Sequence, residues 1–255
     1  MDPITSTRNP RIAAALRLRR TRERRLTAST LLEGPHLLAA AAEAGADVRL
    51  VFHLADDQRS VDLAHRLGAE AVPVDPGILT RLAPTEHPRG PVAVLGIPAG
   101  RAPTRDVLFL EVTDPGNAGT LIRTATAFGF DVVVADGAVD PWSPKVLRAA
   151  AGAHFSTRIA SGALPAGWGI VATLVQGGRS PAELAEALDP ARRWGIAIGS
   201  EAHGLSPAMV DRSDVQVTIP TTGDVESLNA AVAGAVVAYE LSRWRTRVGT
   251  PGADG

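Results

Sequence analysis

Apolar residues follow two rhythms along this chain. Short runs of Val, Leu, Ile and Phe alternate with stretches in which apolar side chains recur every three to four positions. The first rhythm marks buried strands and the second marks helices with one covered face. In the first hundred residues Asn9-Pro10 opens a segment, and 11–25 reads as one basic helix. Strands are predicted at 31–33, 48–54, 71–74 and 92–97. Between them an alanine-rich helix begins at Gly34-Pro35 and ends near Gly45, and a helix over 60–67 is closed by Gly68. Strands alternating with helices predict a parallel sheet with covered faces. The stretch from Pro98 to Thr104 holds two prolines and a glycine without apolar periodicity, which marks a linker.

Beyond the linker the strands are longer and purer, at 107–112, 132–135, 170–174, 195–198 and 215–219, with helices at 119–128, 143–151, 181–187, 206–212 and 227–243. This half is again α/β. The last helix is thick with Ala, Val and Gly on several faces. It suits either a buried helix or a subunit interface. The end of the chain offers little to bury and is expected to be disordered. The resulting organisation is a smaller N-terminal α/β domain (1–97), a linker (98–105), a second domain (106–247) and a tail (248–255).

Composition narrows the chemistry. The 255 residues are 45% apolar and 21% charged and contain no cysteine, which excludes disulfides, thiolate metal sites and a cysteine nucleophile. No apolar run approaches the roughly 18 residues that span a bilayer. The N-terminus lacks the apolar core of a secretory signal, so a cytoplasmic location and no membrane partner are expected. The net charge is −1, yet eight arginines between Arg8 and Arg25 face one acid, Glu23. That run carries +7 and leaves −8 for the rest, an asymmetry that suits a polyanion bound at one end. Arginine outnumbers lysine 25 to 1, so the choice of guanidinium also reflects compositional bias.

Several familiar sites are absent. There is no Gly-x-x-x-x-Gly-Lys phosphate loop, and Gly204-Leu205-Ser206-Pro207-Ala208 lacks the last glycine of a nucleophile elbow. The six histidines show no i, i+4 pair, so no metal is expected. A formal dinucleotide pattern over 167–172 precedes a strand and cannot place a pyrophosphate on a helix N-terminus.

Three loops do carry a signal, each after a strand of the second half. Asp114-Pro115-Gly116-Asn117 is a sharp turn into a helix that holds Arg123, which interrupts the apolar face of Leu121, Ile122 and Phe128. A buried or half-buried arginine there must find an anion. Gly199-Ser200-Glu201-Ala202-His203-Gly204 ends a fully apolar strand with one acid. Ile219-Pro220 through Gly223 to Ser227-Leu228-Asn229 leads into the last helix. Ligands of open α/β sheets bind beyond the carboxyl ends of strands, where all three loops lie. Together they predict a site lined by Asn117, Arg123, Glu201, Ser227 and Asn229.

These loops resemble the three signature motifs of the SpoU/TrmH-type RNA ribose 2′-O-methyltransferases of the SPOUT superfamily. The first motif covers Leu110 to Phe155, with Asp114 to Asn117, Gly119, Arg123 and Lys145-Val146-Leu147-Arg148; Gly199-x-Glu201-x-x-Gly204 matches the second; Ile219-Pro220, Gly223 and Ser227-Leu228-Asn229 match the third. The N-terminal part, with Asn9-Pro10, the arginine run and Glu33-Gly34, is similar to the substrate-binding domain often fused to this catalytic domain.

The resemblance implies a trefoil-knotted parallel sheet, an exception to the rule that chains avoid knots. It also implies a homodimer and S-adenosylmethionine held by backbone groups around Thr173, Leu174, Gly199, Ile219 and Leu228. Arg123 would act at the ribose hydroxyl, the family's arginine commonly arriving from the partner subunit, with Asn117, Glu201, Ser227 and Asn229 arranging the pocket. Arg8, Arg11, Arg19, Arg20 and Arg22 would bind RNA, with ribosomal RNA favoured over transfer RNA by analogy with other fused enzymes. The rival readings are a catalytically silent RNA-binding or assembly protein on the same fold, and a SPOUT enzyme that methylates a base nitrogen.

Overall fold

A computed structural model describes residues 2–83, 88, 90–223 and 226–249. The chain divides into two compact units, Met1–Ala99 with Trp142–Ser156, and Gly100–Pro141 with Thr157–Gly255.

The first unit is built on a four-stranded sheet. Its strands are β1 (Ser29–Glu33), β2 (Val48–His53), β3 (Glu70–Pro73) and β4 (Val92–Gly96), in the order β1-β4-β2-β3. It is not the parallel sheet the alternating pattern predicts. β2 and β3 run parallel, but β4 is inserted between β1 and β2 antiparallel to both. The connection before β4 includes residues 84–87 and 89, which lie outside the described residues. The period of two divides the interior cleanly. Leu31, Phe52, Val92 and Val94 face one apolar cluster, while Leu32, Val51, Ala93 and Leu95 face the other.

The basic segment forms two helices rather than one, α1 (Pro10–Arg17) and α2 (Thr21–Thr27). Asn9 caps α1 by accepting from the Arg11 amide. The chain breaks after it because Leu18 turns into the core at 5% exposure and Arg24 folds back beneath the break. Its guanidinium donates to the Leu18 carbonyl at 2.8 Å and to the Thr21 hydroxyl at 2.9 Å, satisfying an orphaned helix-end acceptor. The helices α3 (Pro35–Glu43) and α4 (Gln58–Arg66) fall close to expectation. A further helix, α5 (Pro76–Leu82), was hidden in the sequence. Asp75 caps it, Pro76 opens it, and Ile78, Leu79 and Leu82 bury its inner face.

The second unit holds a six-stranded sheet, parallel throughout, in the order β10-β8-β9-β5-β6-β7. Its strands are β5 (Val107–Leu110), β6 (Asp131–Val134), β7 (Ile159–Ser161), β8 (Gly169–Thr173), β9 (Trp194–Ile198) and β10 (Val215–Val217). The short edge strand β7 has only three residues and left no readable alternation. β5, β6 and β9 are buried at every position, as expected of strands covered on both faces. Its helices are α6 (Pro115–Phe128), α8 (Leu184–Ala187), preceded by a single 3-10 turn, α9 (Pro207–Asp211) and α10 (Ala230–Val248). α10 begins three residues later than the pattern suggests, because Asn229, not Ser227, is its cap. It also continues to Val248, the residue at which the tail was placed, and 250–255 lie outside the described residues.

α6 and α10 run side by side in the same direction. Asn117 meets Asn229 at their first turns, and the Phe128 and Tyr239 rings lie 5.7 Å apart at the far end. Between these points Gly234 lets the helices touch, since a Cβ there would lie 2.5 Å from the Leu121 side chain. The far end of α10 is pinned by Arg245, whose Nε donates to Asp106 at 2.5 Å and whose Nη1 donates to the Pro190 carbonyl at 3.0 Å. Asp106 also accepts from the Trp194 amide at 2.8 Å.

The segment 142–156, counted with the second domain on sequence, packs in the first unit. It carries α7 (Pro144–Ala149). Trp142 and Phe155 lie against the Leu32–Leu37–Leu38 cluster, and Thr30 donates to the Trp142 carbonyl at 2.7 Å. Gly152 adopts φ +92 with Ala40 close beside it, a place where a side chain would be both strained and crowded.

Asp131 anchors the start of β6. Burial alone would raise its carboxyl pKa, but the Thr104 amide and the Arg105 guanidinium and amide outweigh it and hold the group below its ordinary 3.8. A carboxylate stabilised in the fold contributes stability above its unfolded pKa and loses that contribution as pH falls through the folded value. Asp131→Asn is therefore expected to lower stability by about 2 kcal/mol at pH 7. The gap between variant and parent should narrow as pH drops below about 4. Urea melts at pH 7, 5 and 3.5 check both the size and the sign.

Candidate active site

The loops after β8, β9 and β10 surround one cavity at the carboxyl ends of the parallel strands, the side where open α/β sheets bind ligands, whereas Asn117, after β5, and Asn229 are not part of its lining. Its walls are Leu174, Ile198, Ile219 and Leu228, with Ala230, Ala233 and Val237 of α10 contributing small side chains. Thr173, Ser200, Glu201, Thr221, Glu226 and Ser227 supply the polar part of the lining. The five positions expected to hold a methyl donor, Thr173, Leu174, Gly199, Ile219 and Leu228, all line this cavity. Val175, Ser200, Val217 and Thr221 join them. Nothing in their residue types set those four apart in the sequence.

Local chemistry explains the shape. The Thr173 hydroxyl donates to the Ala197 carbonyl at 2.8 Å, tying the ends of β8 and β9 together. The loop 199–205 closes on itself through two backbone bonds between Ser200 and Gly204, at 3.0 and 2.8 Å. Gly199 packs directly on the backbone of Gly204 and Leu205, leaving no space for a Cβ. Gly178 is also tight against the β10 backbone, where a Cβ would lie 2.7 Å from Val217.

Three of the expected polar residues form one hydrogen-bonded chain. The Asn229 amide nitrogen donates to Asn117 Oδ1 at 2.9 Å and to Glu201 Oε1 at 2.6 Å. Its oxygen accepts from the Ala231 and Val232 amides at 2.9 and 3.2 Å, capping α10. Every polar atom of that side chain is committed, so its orientation is set by partners on both sides. Asp114 completes the frame by accepting from the Asn117 amide at 2.8 Å and capping α6.

Arg123 departs from expectation. It is exposed and does not line the cavity. Six positions along a helix turn a side chain about 240° away, so a residue that follows buried Asn117 by six points elsewhere. Leu121 and Ile122 are buried, and Arg123 lies outside the face they form. The arginine does not interrupt the apolar face, and its own chain leaves it out of the pocket.

In the first unit Arg8, Arg11, Arg19, Arg20 and Arg22 are all exposed. Arg11 is paired with Glu70 at 2.7 Å, and Arg19 donates to the Arg81 carbonyl at 3.3 Å. Arg25 is exposed as well, whereas Arg24 is a structural group at 3% exposure. Lys145 and Arg148 of α7 add two exposed cations to the same unit. Among the described residues no group of three or more His, Asp or Glu is placed to hold a metal ion, and no helix is long and apolar enough to cross a membrane.

Fold and site together define an α/β protein with a strand-end cavity, apolar walls and an acidic rim. The SpoU rRNA Methylase family model matches residues 105–239, more than half of the chain, and the MRM3-like substrate binding domain matches 9–93. The chain belongs to the SpoU methylase family. It is 31% identical over 252 residues to the 23S rRNA (guanosine(2553)-2′-O)-methyltransferase RlmP of Bacillus subtilis, covering 94% of this chain and 99% of that one. It is 33% identical over 270 residues to the 23S rRNA (uridine(2479)-2′-O)-methyltransferase of Streptomyces viridochromogenes, covering 95% and 92%. Among solved structures it is similar to the SpoU methyltransferase AviRb of Streptomyces viridochromogenes in complex with AdoMet, with a TM-score of 0.82 and 30% identity over 94% of this chain and 99% of that one.

Proposed function

We propose that the protein methylates a ribose 2′-hydroxyl of structured RNA, ribosomal rather than transfer RNA, using S-adenosylmethionine. The observation that carries this reading is the convergence of the loops after β8, β9 and β10 on one cavity, with Asn229 tying Glu201 of its lining to Asn117. The cavity's chemistry fits the donor. Leu174, Ile219 and Leu228 offer apolar walls for an adenine, and the carboxylates Glu201 and Glu226 suit a ligand with cationic groups.

When bound, the donor supplies a methyl group already activated by its sulfonium. The chain's task is to align a poor nucleophile with it and to stabilise the charge that develops on the ribose oxygen. Asn117, Glu201, Ser227 and Asn229 shape the pocket. Arg123, reaching in from a second copy of the chain, grips the phosphate beside the reacting ribose and lowers the energy of the forming oxyanion. A guanidinium with a pKa above about 12 is a poor base, so the proton leaves to phosphate or water. The exposed arginines of α1 and α2 hold the RNA through its backbone, a contact that gives affinity without naming a sequence.

A homodimer follows from this role for Arg123. Val232, Val236 and Tyr239, spaced along one stripe of α10, are 51%, 36% and 49% exposed, more apolar surface than one helix ordinarily offers to water. A trefoil threading of this half belongs to the same reading, and the backbone bonds of Arg179 with Gln216 and Thr218 are consistent with it. The enzyme acts in the cytoplasm.

Calorimetric titration with S-adenosylhomocysteine tests the reading, with saturable binding at one site per chain expected. Absence of heat, together with unchanged ribose methylation in total RNA when the gene is removed, would favour a silent RNA-binding protein instead.

A further inference from the structure

Glu111 lies immediately after β5 and does not line the cavity. It nevertheless grips the 199–205 loop at both ends. Its backbone N–H donates to the carbonyl of Ile198, the last residue of β9, at 2.9 Å. Its carboxylate accepts from the Ser206 amide at 2.7 Å and from the Ser206 hydroxyl at 2.9 Å. Ser206 in turn caps α9, its oxygen accepting from the Met209 amide. The residue before the loop and the residue after it are therefore both fastened to one side chain and its own backbone.

What lies between those fastenings is part of the site. Gly199, Ser200, Glu201 and Gly204 line the cavity, and Glu201 accepts from Asn229 at 2.6 Å. The neck of the loop is closed by Ser200 and Gly204, so its internal shape is fixed. Its attitude over the cavity depends on the two ends. A carboxylate accepting two bonds holds its partner more firmly than a neutral acceptor does.

We infer that Glu111 is a positioning residue for methyl transfer: by holding Ile198 and Ser206 it sets the 199–205 loop so that Gly199 shapes the donor cavity and Glu201 meets Asn229. This role rests on the methyl-transfer reading of the cavity. Glu111→Ala removes both carboxylate bonds, whereas Glu111→Gln keeps an acceptor for the Ser206 amide and a polar partner for its hydroxyl.

Three measurements on the full chain decide the matter. Amide hydrogen exchange at Gly204 and Ser206 is expected to accelerate about tenfold in Glu111→Ala while exchange in β8 and β10 stays unchanged. S-adenosylhomocysteine affinity should weaken about tenfold and kcat should fall by a similar factor, with Glu111→Gln returning both to within about threefold of the parent. An alanine variant with parental affinity and turnover, or exchange accelerated equally throughout the unit, overturns the role. A parent chain that binds no S-adenosylhomocysteine overturns the methyl-transfer reading and this role together. A parent that binds it while the alanine variant binds equally well overturns the role alone.

Discussion

Gly199→Ala is expected to weaken S-adenosylhomocysteine binding by at least ~100-fold, about 3 kcal/mol. The reason is steric and local. A methyl group at 199 would fall inside the envelope of the Gly204 carbonyl group and the Leu205 nitrogen. Both are backbone atoms of a loop whose neck is closed by the Ser200–Gly204 bonds, so neither can yield as a flexible side chain would. The loop must lift, and Ser200, Glu201 and Gly204, which line the cavity, lift with it. Calorimetry on the variant, with circular dichroism to show that it is folded, checks this outcome. A folded variant that binds like the parent would mean the loop is not part of the donor site.

Arg123→Ala should lower kcat by about 10²–10³, the range seen when a single charge-stabilising donor is removed, while leaving S-adenosylhomocysteine affinity unchanged. Arg123→Lys should rescue little, because an ammonium keeps the charge but loses the forked grip on phosphate. The exposed position of Arg123, away from its own chain's cavity, makes a sharper test possible. In the proposed homodimer, co-expressing Arg123→Ala with Asn229→Ala gives mixed dimers in which one site combines an intact arginine with an intact pocket. If the arginine acts across a two-fold interface, random pairing restores about a quarter of parental turnover, since half the dimers each carry one good site. If it acts within its own chain, the mixture is as inactive as either variant alone.

Much of the site was legible in the sequence because its residues cluster in three loops with unusual polar content after pure apolar strands. Turn chemistry at Asp114-Pro115-Gly116 and the polar run before α10 located where Asn117 and Asn229 meet. The faces of individual side chains were less readable. Arg123 follows Leu121 and Ile122 directly, and only the observed phase of α6 places it on the outside. In the first unit the single basic helix became two because Leu18 had a place in the core and Arg24 had a carbonyl to satisfy. Neither requirement is visible in a charge pattern. The antiparallel insertion of β4 escaped notice for a similar reason, since a buried run such as Val92–Leu95 reads the same in either direction. Glu111 was missed altogether. Its partner Ser206 is 95 positions away, and no local spacing announces such a pair.

The excursion of 142–156 into the first unit bears on how this architecture can be taken apart. The polypeptide passes from one unit to the other at three places, not one. A graft that exchanged only the leading 99 residues for those of another RNA-modifying enzyme would leave Trp142 and Phe155 facing a foreign surface. The transplant would also strip the incoming module of the bond between Thr30 and the Trp142 carbonyl. Chimeras that exchange this unit therefore have to move both stretches together, because the compact unit is discontinuous along the chain.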